Sequence, residues 1–327
     1  MKKKKWISAF TALMTAAALL LSGCGQTRMM FGTGGTAGTY YAYGGVLAQY
    51  ITNYSDAKVT AVSSGGSKVN IQSIQDGDFQ LGFTQSDVCA YAWNGTKSFE
   101  SDGPTHDFRV LGALYNETVQ LFSMDSSIQS VEDLRGKRVS IGEAGSGVYF
   151  NAIDVLEAAG LTLDDIKPQY QSFDASKEAL KDGMIDAAFI VAGAPTPAIT
   201  ELATTNGVSF IPIDGDLQEK LLTEHPYYTK QTIAAGTYPG QDTDVETIAV
   251  EATIIVSASL SDDLVYQMTA AIFDHIDEIS AENAKGSELS LENAVSVSAA
   301  PFHAGAARYY QEHGYEVTTL DPADDTL

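Results

Sequence analysis

The chain has 327 residues, 44% of them hydrophobic and 19% charged, with 42 acidic residues against 19 Lys and Arg for a formal net charge of −23. That length can bury the cores of two domains. The charge lacks the basic footprint that phosphate backbones require, so no nucleic-acid partner is expected.

Residues 1–23 read as a lipoprotein signal peptide. Lys2 to Lys5 form a positive n-region, Ile7 to Leu21 are mostly apolar, and Leu21-Ser22-Gly23-Cys24 has the form of a lipobox whose cysteine, Cys24, is acylated after cleavage. About 15 apolar residues are short for a bilayer span, which needs roughly 20. Cleavage removes four of the 19 basic residues and no acid, leaving 15 against 42 and a charge of −27. Such acidity disfavours anionic headgroups, so the N-terminal lipid is the expected membrane contact. Only Cys89 then remains, a small residue expected to be buried, and the exported domain has no internal disulfide. Residues 24–30 are expected to be the lipidated terminus and a short tether.

Next comes FGTGGTAGTYY, residues 31–41, a Gly/Thr loop after a short strand and before a helix whose apolar face is Tyr43, Val46, Leu47, Tyr50 and Ile51. Glycines leave backbone N–H groups open and threonines add hydroxyls, a composition suited to gripping a small anion at a helix N-terminus. A strand over Lys58 to Val62, the loop Ser63-Ser64-Gly65-Gly66-Ser67, a helix ending near Gly77 and a strand over Phe79 to Phe83 follow. Val110 to Tyr115 and Val119 to Met124 read as two further extended segments. Ser130 with Asp133 suits a capping box, Arg138 to Ile141 a strand, and Glu143-Ala144-Gly145-Ser146-Gly147 another small-residue loop before a helix ending at Gly160. The segment Asp76-Gly77-Asp78-Phe79-Gln80-Leu81-Gly82-Phe83 is echoed by Asp182-Gly183-Met184-Ile185-Asp186-Ala187-Ala188-Phe189, which is what two similar α/β lobes would produce. Loops 32–39, 63–67 and 143–147 each fall between a strand and a helix, the edge of a parallel sheet where ligands bind.

Gly32-Thr33-Gly34-Gly35-Thr36-Ala37 formally fits the dinucleotide fingerprint, but no carboxylate ends the second strand at Val62-Ser63-Ser64 to bind a ribose. No nucleophile elbow, P-loop or zincin motif occurs, and His106, His225, His275, His303 and His313 lack metal spacing. The chain is therefore not expected to be an enzyme or to carry a cofactor or metal; an NAD-linked enzyme is the remote alternative. His303 in APFHAG, residues 300–305, reads as a structural histidine.

The blocks FGTGGTAGTYYAYGGVLA (31–48), SSGGS (63–67), FTQSD (83–87), DLRGKRVSIGEAGSG (133–147), EAAGLTLDDIK (157–167), LKDGMIDAAFIVAGAPTPAITELA (180–203), AGTYPGQDTDV (235–245) and PFHAGAARYY (301–310) resemble the TAXI family of solute-binding receptors over nearly all of residues 31–314. That family serves tripartite ATP-independent periplasmic (TRAP) transporters. The resemblance implies a type II periplasmic-binding-protein fold: two α/β lobes joined by crossover strands, closing around a small organic anion such as a dicarboxylate or acidic amino acid for delivery to an ion-gradient-driven permease. Lobe I is expected over 31–123 and 253–327 and lobe II over 124–252, with crossings near Gln120 to Asp125 and Ala249 to Val256. The receptor would be extracytoplasmic, lipid-anchored to the outer face of the cytoplasmic membrane, or periplasmic where an outer membrane exists. A surface lipoprotein that senses or adheres without transport is the alternative.

In that frame the amides from Thr36 through Gly38 to Tyr40, with the Thr36 and Thr39 hydroxyls, would hold one carboxylate, and Ser64 or Ser67 could add a contact. Gln85 and Ser86 would meet the middle of the ligand. Ser146 with Gly145 and Gly147 would take a far carboxylate, with Ala192 and Gly193 opposite, and Tyr40, Tyr115 and Tyr238 would wall the cleft. None of these loops contains Arg, so neutral donors and helix dipoles must recognise the anion. An amino-acid ligand would also need an acceptor for its ammonium, and Asp87, Glu117 and Glu143 lie at suitable loop ends.

Overall fold

In the computed structural model, which describes residues 27–320, the short apolar runs between glycine turns become strands and the periodic segments become helices. The signal segment and Cys24 lie outside the described residues. Strand β1 (Thr27–Gly32) begins inside the expected tether, because residues 27–32 pair in register with β2 (Ala57–Val62). Between them α1 (Thr39–Tyr54) buries Tyr43, Leu47 and Ile51 at helical spacing. Next come α2 (Ser67–Gln75), β3 (Leu81–Gln85) and α3 (Ser86–Asn94).

The two extended segments expected over 110–124 are one strand, β4 (Phe108–Ser123), of 16 residues with all but one buried. Both halves pair, with different partners, so nothing interrupts it. The second set comprises β5 (Arg138–Ser140), α4 (Gly147–Ala158), β6 (Lys167–Gln169), α5 (Phe173–Lys181), β7 (Ala187–Ala192), α6 (Pro197–Thr205), β8 (Ser209–Phe210), α7 (Gly215–Glu224) and β9 (Thr229–Ile233). The capping box of Ser130 and Asp133 is formed. Strand β10 (Val245–Ser257) returns to the first half, where α8 (Asp262–Phe273), α9 (Ile276–Glu282), α10 (Leu291–Ala294) and α11 (Ala304–Glu312) follow.

The sheet order is β2-β1-β3-β10-β4-β7-β5-β6, with β8 on β4 and β9 on β10. Each half is three parallel strands closed by an antiparallel long strand: β10 beside β3, and β4 beside β7. The echoed sequences therefore supply equivalent strands, β3 and β7. Each follows a glycine with positive φ, Gly77 at 82° and Gly183 at 64°.

β4 pairs with β7 from Thr118 to Ser123, and its side chains leave the first core after Tyr115 to enter the second at Val119. The first crossing thus lies at residues 116–118, N-terminal of the expected Gln120 to Asp125, and the lobe boundary moves with it. Gln120 is already inside the second half, donating to Ala192 O at 3.2 Å and Thr196 Oγ1 at 2.9 Å. In β10 the change falls between Val250, in the second core, and Ala252, in the first, within the expected Ala249 to Val256. His303 caps α11, its Nδ1 accepting from Gly305 N at 3.1 Å, and Cys89 is a buried free thiol. No helix among the described residues is long and apolar enough to cross a membrane.

Candidate functional site

The carboxyl ends of the parallel strands in both halves face one another, and the loops there are held in place before any ligand arrives. Asn70, fully buried on α2, donates from Nδ2 to Thr33 O at 2.7 Å and Phe83 O at 2.8 Å. The Ser64 hydroxyl donates to Asn70 Oδ1 at 2.6 Å and Thr33 O at 3.1 Å. One side chain thereby joins the ends of β1, β2 and β3, a role that sequence alone did not reveal.

Between the halves lies a cavity with about 70 Å³ open to the centres of water molecules. That is space for several waters or one small organic molecule. Four helix N-termini border it: Gly38, Thr39 and Tyr40 at α1, Gly66 and Ser67 at α2, Ser146, Gly147 and Val148 at α4, and Ser172 and Phe173 at α5. Each contributes first-turn amides and the positive end of a helix dipole. Gly34, Gly35, Gly65, Gln85, Glu117, Glu143, Gln171, Val191 and Ala192 complete the lining, with no Lys or Arg among them.

Of the residues expected to hold ligand, Gly38, Thr39, Tyr40, Ser67, Gln85, Ser146, Gly147 and Ala192 border this cavity. The others lie elsewhere, for local reasons. Ser64 is consumed by the Asn70 staple. The Ser86 hydroxyl accepts from Glu251 N at 3.2 Å, and Gly193 O accepts from Thr39 Oγ1 at 2.9 Å. Thr36 Oγ1 reaches across the halves to Asp174 Oδ2 at 3.4 Å, and Gly145 sits outside the lining with φ 79°. Tyr238 does not wall the cleft; it is 1% exposed in a core, accepting from Thr196 N at 2.8 Å and donating to Gln120 Oε1. Tyr115, equally buried, stands behind the lining against Tyr43, with ring centroids 5.6 Å apart. The segment Gln171-Ser172-Phe173 was missed. Its signal was Ser172 ahead of an amphipathic helix, whose side chain caps Ala175 N at 3.3 Å.

The three candidate acids separate. Glu143 is exposed at the rim. Glu117 is 2% exposed on the cavity wall, and burial pushes its pKa up to about 8 although Tyr115, Tyr40, Gln85 and Lys285 all pull it down. Glu117 Oε1, Gln85 Oε1 and the Tyr40 and Tyr115 hydroxyls make no well-aligned hydrogen bond but face one another, the hydroxyls and the Gln85 amide being the donors within reach of Glu117; Gln171 Oε1 is unpartnered. Lys285 is engaged elsewhere, paired with Glu288 and lying 5.7 Å above the Tyr115 ring.

Asp87 is outside the cavity, in a polar junction where α3 meets α4. Its Oδ2 accepts from Asn151 Nδ2 at 2.9 Å, and burial raises its pKa to about 7. Next to it Asp154 accepts from Lys97 Nζ at 2.9 Å, Tyr227 OH at 2.9 Å and Tyr228 OH at 3.0 Å. Lys97 belongs to the first half and holds a left-handed backbone, φ 43°, while Asp154 belongs to the second. Contact between the halves is close: a Cβ on Gly147 would lie 1.8 Å from Gln85 Oε1.

A model described as the NMT1-like family matches residues 31–314. Among solved structures, the chain is similar to a Bordetella bronchiseptica protein at 15% identity, covering 91% of this chain and 86% of that one with a TM-score of 0.52. It is similar to a putative L-cystine ABC transporter from Listeria monocytogenes at 18% identity, 81% and 98% coverage and a TM-score of 0.50. PhnD1 from Prochlorococcus marinus, in complex with methylphosphonate, matches at 11% identity, 76% and 85% coverage and a TM-score of 0.51. At such identities the likeness is one of fold: two α/β lobes of the periplasmic-binding-protein type.

Proposed function

The chain belongs to the NMT1-like family, and from that premise we propose that it is the extracytoplasmic solute receptor of a TRAP transporter, of the TAXI group. It captures a small organic anion, a dicarboxylate or acidic amino acid, between its lobes and delivers it to an ion-gradient-driven permease. A lipid on Cys24 holds it at the membrane. The observation that carries this reading is the cavity bordered by four helix N-termini, two from each lobe, with buried polar atoms on its wall that make no well-aligned hydrogen bond.

Capture follows from that geometry. The lobe I loops are fixed by Asn70, so the amides at Thr39, Tyr40 and Ser67 form a preorganised anion seat. An anion at a helix N-terminus gains about 0.3–2 kcal/mol per helix, most where water is excluded. Lobe II then adds the N-termini of α4 and α5. Closure brings Thr39 Oγ1 to Gly193 O and Lys97 to Asp154, so the closed state carries its own bonds across the cleft. The TAXI assignment rests on the sequence blocks already quoted, the Gly/Thr loop and TYPGQ over 237–241 above all.

The test is a melting series of the purified chain against organic acids, acidic and neutral amino acids, and NAD. A ligand at about 100 times its dissociation constant adds about 2.7 kcal/mol. A rise with a carboxylate and no turnover is expected. A rise with NAD alone overturns the receptor. Uptake of that carboxylate into vesicles holding the cognate permease, driven by an ion gradient without ATP, tests the transporter class.

A further inference from the structure

We infer that the outer face of β1 and β2, formed by Arg28, Met30, Lys58 and Thr60, lies against a lipid surface and pairs with anionic phospholipid headgroups. This goes beyond solute capture and rests on the lipid at Cys24 in the proposed reading.

The start of β1 carries the first step. Its pairing with β2 begins at Thr27, so only Gly25 and Gln26 separate the folded lobe from Cys24. Three residues of chain reach about 10 Å at most. A lipid on Cys24 therefore keeps this strand end beside the headgroups, and the surface that borders it is the one that meets the bilayer.

Strand alternation sets the chemistry of that surface. Met29 and Phe31 on β1 and Ala57 and Val59 on β2 enter the first core, where Tyr43 and Leu47 of α1 cover them. Arg28, Met30, Lys58 and Thr60 point the opposite way and are exposed, Met30 by 39%. The parallel register sets Arg28 beside Lys58 and Met30 beside Thr60. The next helix, α2, packs on β3 and leaves this corner of the sheet open.

The patch thus holds two adjacent cations and no acid, in a chain whose mature form has 15 basic residues against 42 acidic ones. Among the described residues neither Arg28 nor Lys58 forms an ion pair or a side-chain hydrogen bond, whereas Arg135, Arg138 and Lys177 are all paired with acids. Asp56, just before β2, accepts from Gln267 of α8 at 3.2 Å, and Asp76 and Asp78 lie at the turn before β3. Both cations are therefore available to an anion from outside. An acidic protein segment has suitable charge too, but only the headgroups are kept within reach by the anchor. The net negative charge does not prevent this contact, because salt screens acids more than about 8 Å away while the two cations touch the surface. Met30 adds an apolar side chain at the same level.

The contact has a consequence for delivery. With this face down, the strands run along the membrane, and the cavity beyond their carboxyl ends at Gly32 and Val62 is held about 20 Å from the anchor, close to the headgroups. A permease in the same membrane then meets the cleft at its own height.

The experiment places the full lipidated chain in vesicles of phosphatidylcholine, with or without phosphatidylglycerol, that carry a headgroup quencher. A fluorophore is attached through Thr60→Cys on the face or through Gln49→Cys on the exposed side of α1; Cys89 is buried and stays unlabelled. Quenching at 60 is expected to exceed quenching at 49 when phosphatidylglycerol is present, and to fall in high salt. Each cation should favour the face-down population by about fivefold, so the double variant Arg28→Gln, Lys58→Gln should bring quenching at 60 down to its value without phosphatidylglycerol. Unchanged melting curves show that the variants fold. Equal quenching at the two positions, or quenching at 60 that ignores both phosphatidylglycerol and the double variant, overturns the face and leaves the receptor standing. A mass that shows no lipid on Cys24 overturns the anchor and this inference together, while the melting series still reports on solute binding.

Discussion

Glu117 and Asp87 are both buried acids near the meeting of the lobes, both with raised pKa values, and they differ in what answers them. Asp87 and its neighbour Asp154 have protein donors: Asn151, Lys97, Tyr227 and Tyr228, contributed by both lobes. Glu117 has Tyr115, Tyr40 and Gln85 beside it, which draw its pKa down against burial, while Lys285 is paired with Glu288. The first arrangement joins the halves; the second lies on the wall of the cavity between them. Buried charge alone does not mark a binding site; a place on the cavity wall is what separates Glu117 from Asp87.

The largest expected effect tests the junction. Asp154→Ala leaves the Tyr227 and Tyr228 hydroxyls without their shared acceptor, while the half-exposed Lys97 can be hydrated, and should cost about 2–4 kcal/mol in urea unfolding. A loss below about 1 kcal/mol would mean that water replaces Asp154, and the contrast with Glu117 would collapse. Next comes pH. Asp87 rises from its ordinary 3.8 to about 7 on folding, so the folded chain binds the extra proton and stability falls as pH climbs from about 4 to 7. Asp87→Asn should remove a loss on the order of 2–4 kcal/mol, raising the melting temperature at pH 8 and leaving it nearly unchanged at pH 4. Parallel melting curves from pH 4 to 8 would show that Asp87 is hydrated in solution. The smallest effect tests the cleft itself. Gly147→Ala drives a Cβ into the Gln85 amide, which must swing into the cavity, so ligand affinity should fall by about 1–3 kcal/mol with little change in the melting of the unliganded chain. Equal losses in both measurements would place Gly147 in a packing role.

Much of this was legible in the chain. The Gly/Thr loop, the Ser63–Ser67 and Glu143–Gly147 loops and the paired helix-Gly-strand echoes are local signals, because glycine turns and helix N-termini depend on neighbours in sequence. They placed three of the four helix ends that border the cavity. Where the reading went astray, distant partners decided. Two extended segments became the single strand β4 because β10 and β7 pair with its successive halves. Ser64 left the site because Asn70 claims its hydroxyl, and Tyr238 because Gln120 and Thr196 hold it in the core.

The sequence by itself determined two similar α/β lobes and the loops that open their helices, since periodicity and turn chemistry are written residue by residue. Only the tertiary structure decided which acid faces the cavity. Asp87, Glu117 and Glu143 are all acids in the sequence; folding places one in the junction between the lobes, one on the cavity wall beside Tyr115, Tyr40 and Gln85, and one in water. The chemistry of a carboxylate follows from that placement, through desolvation and the partners within reach.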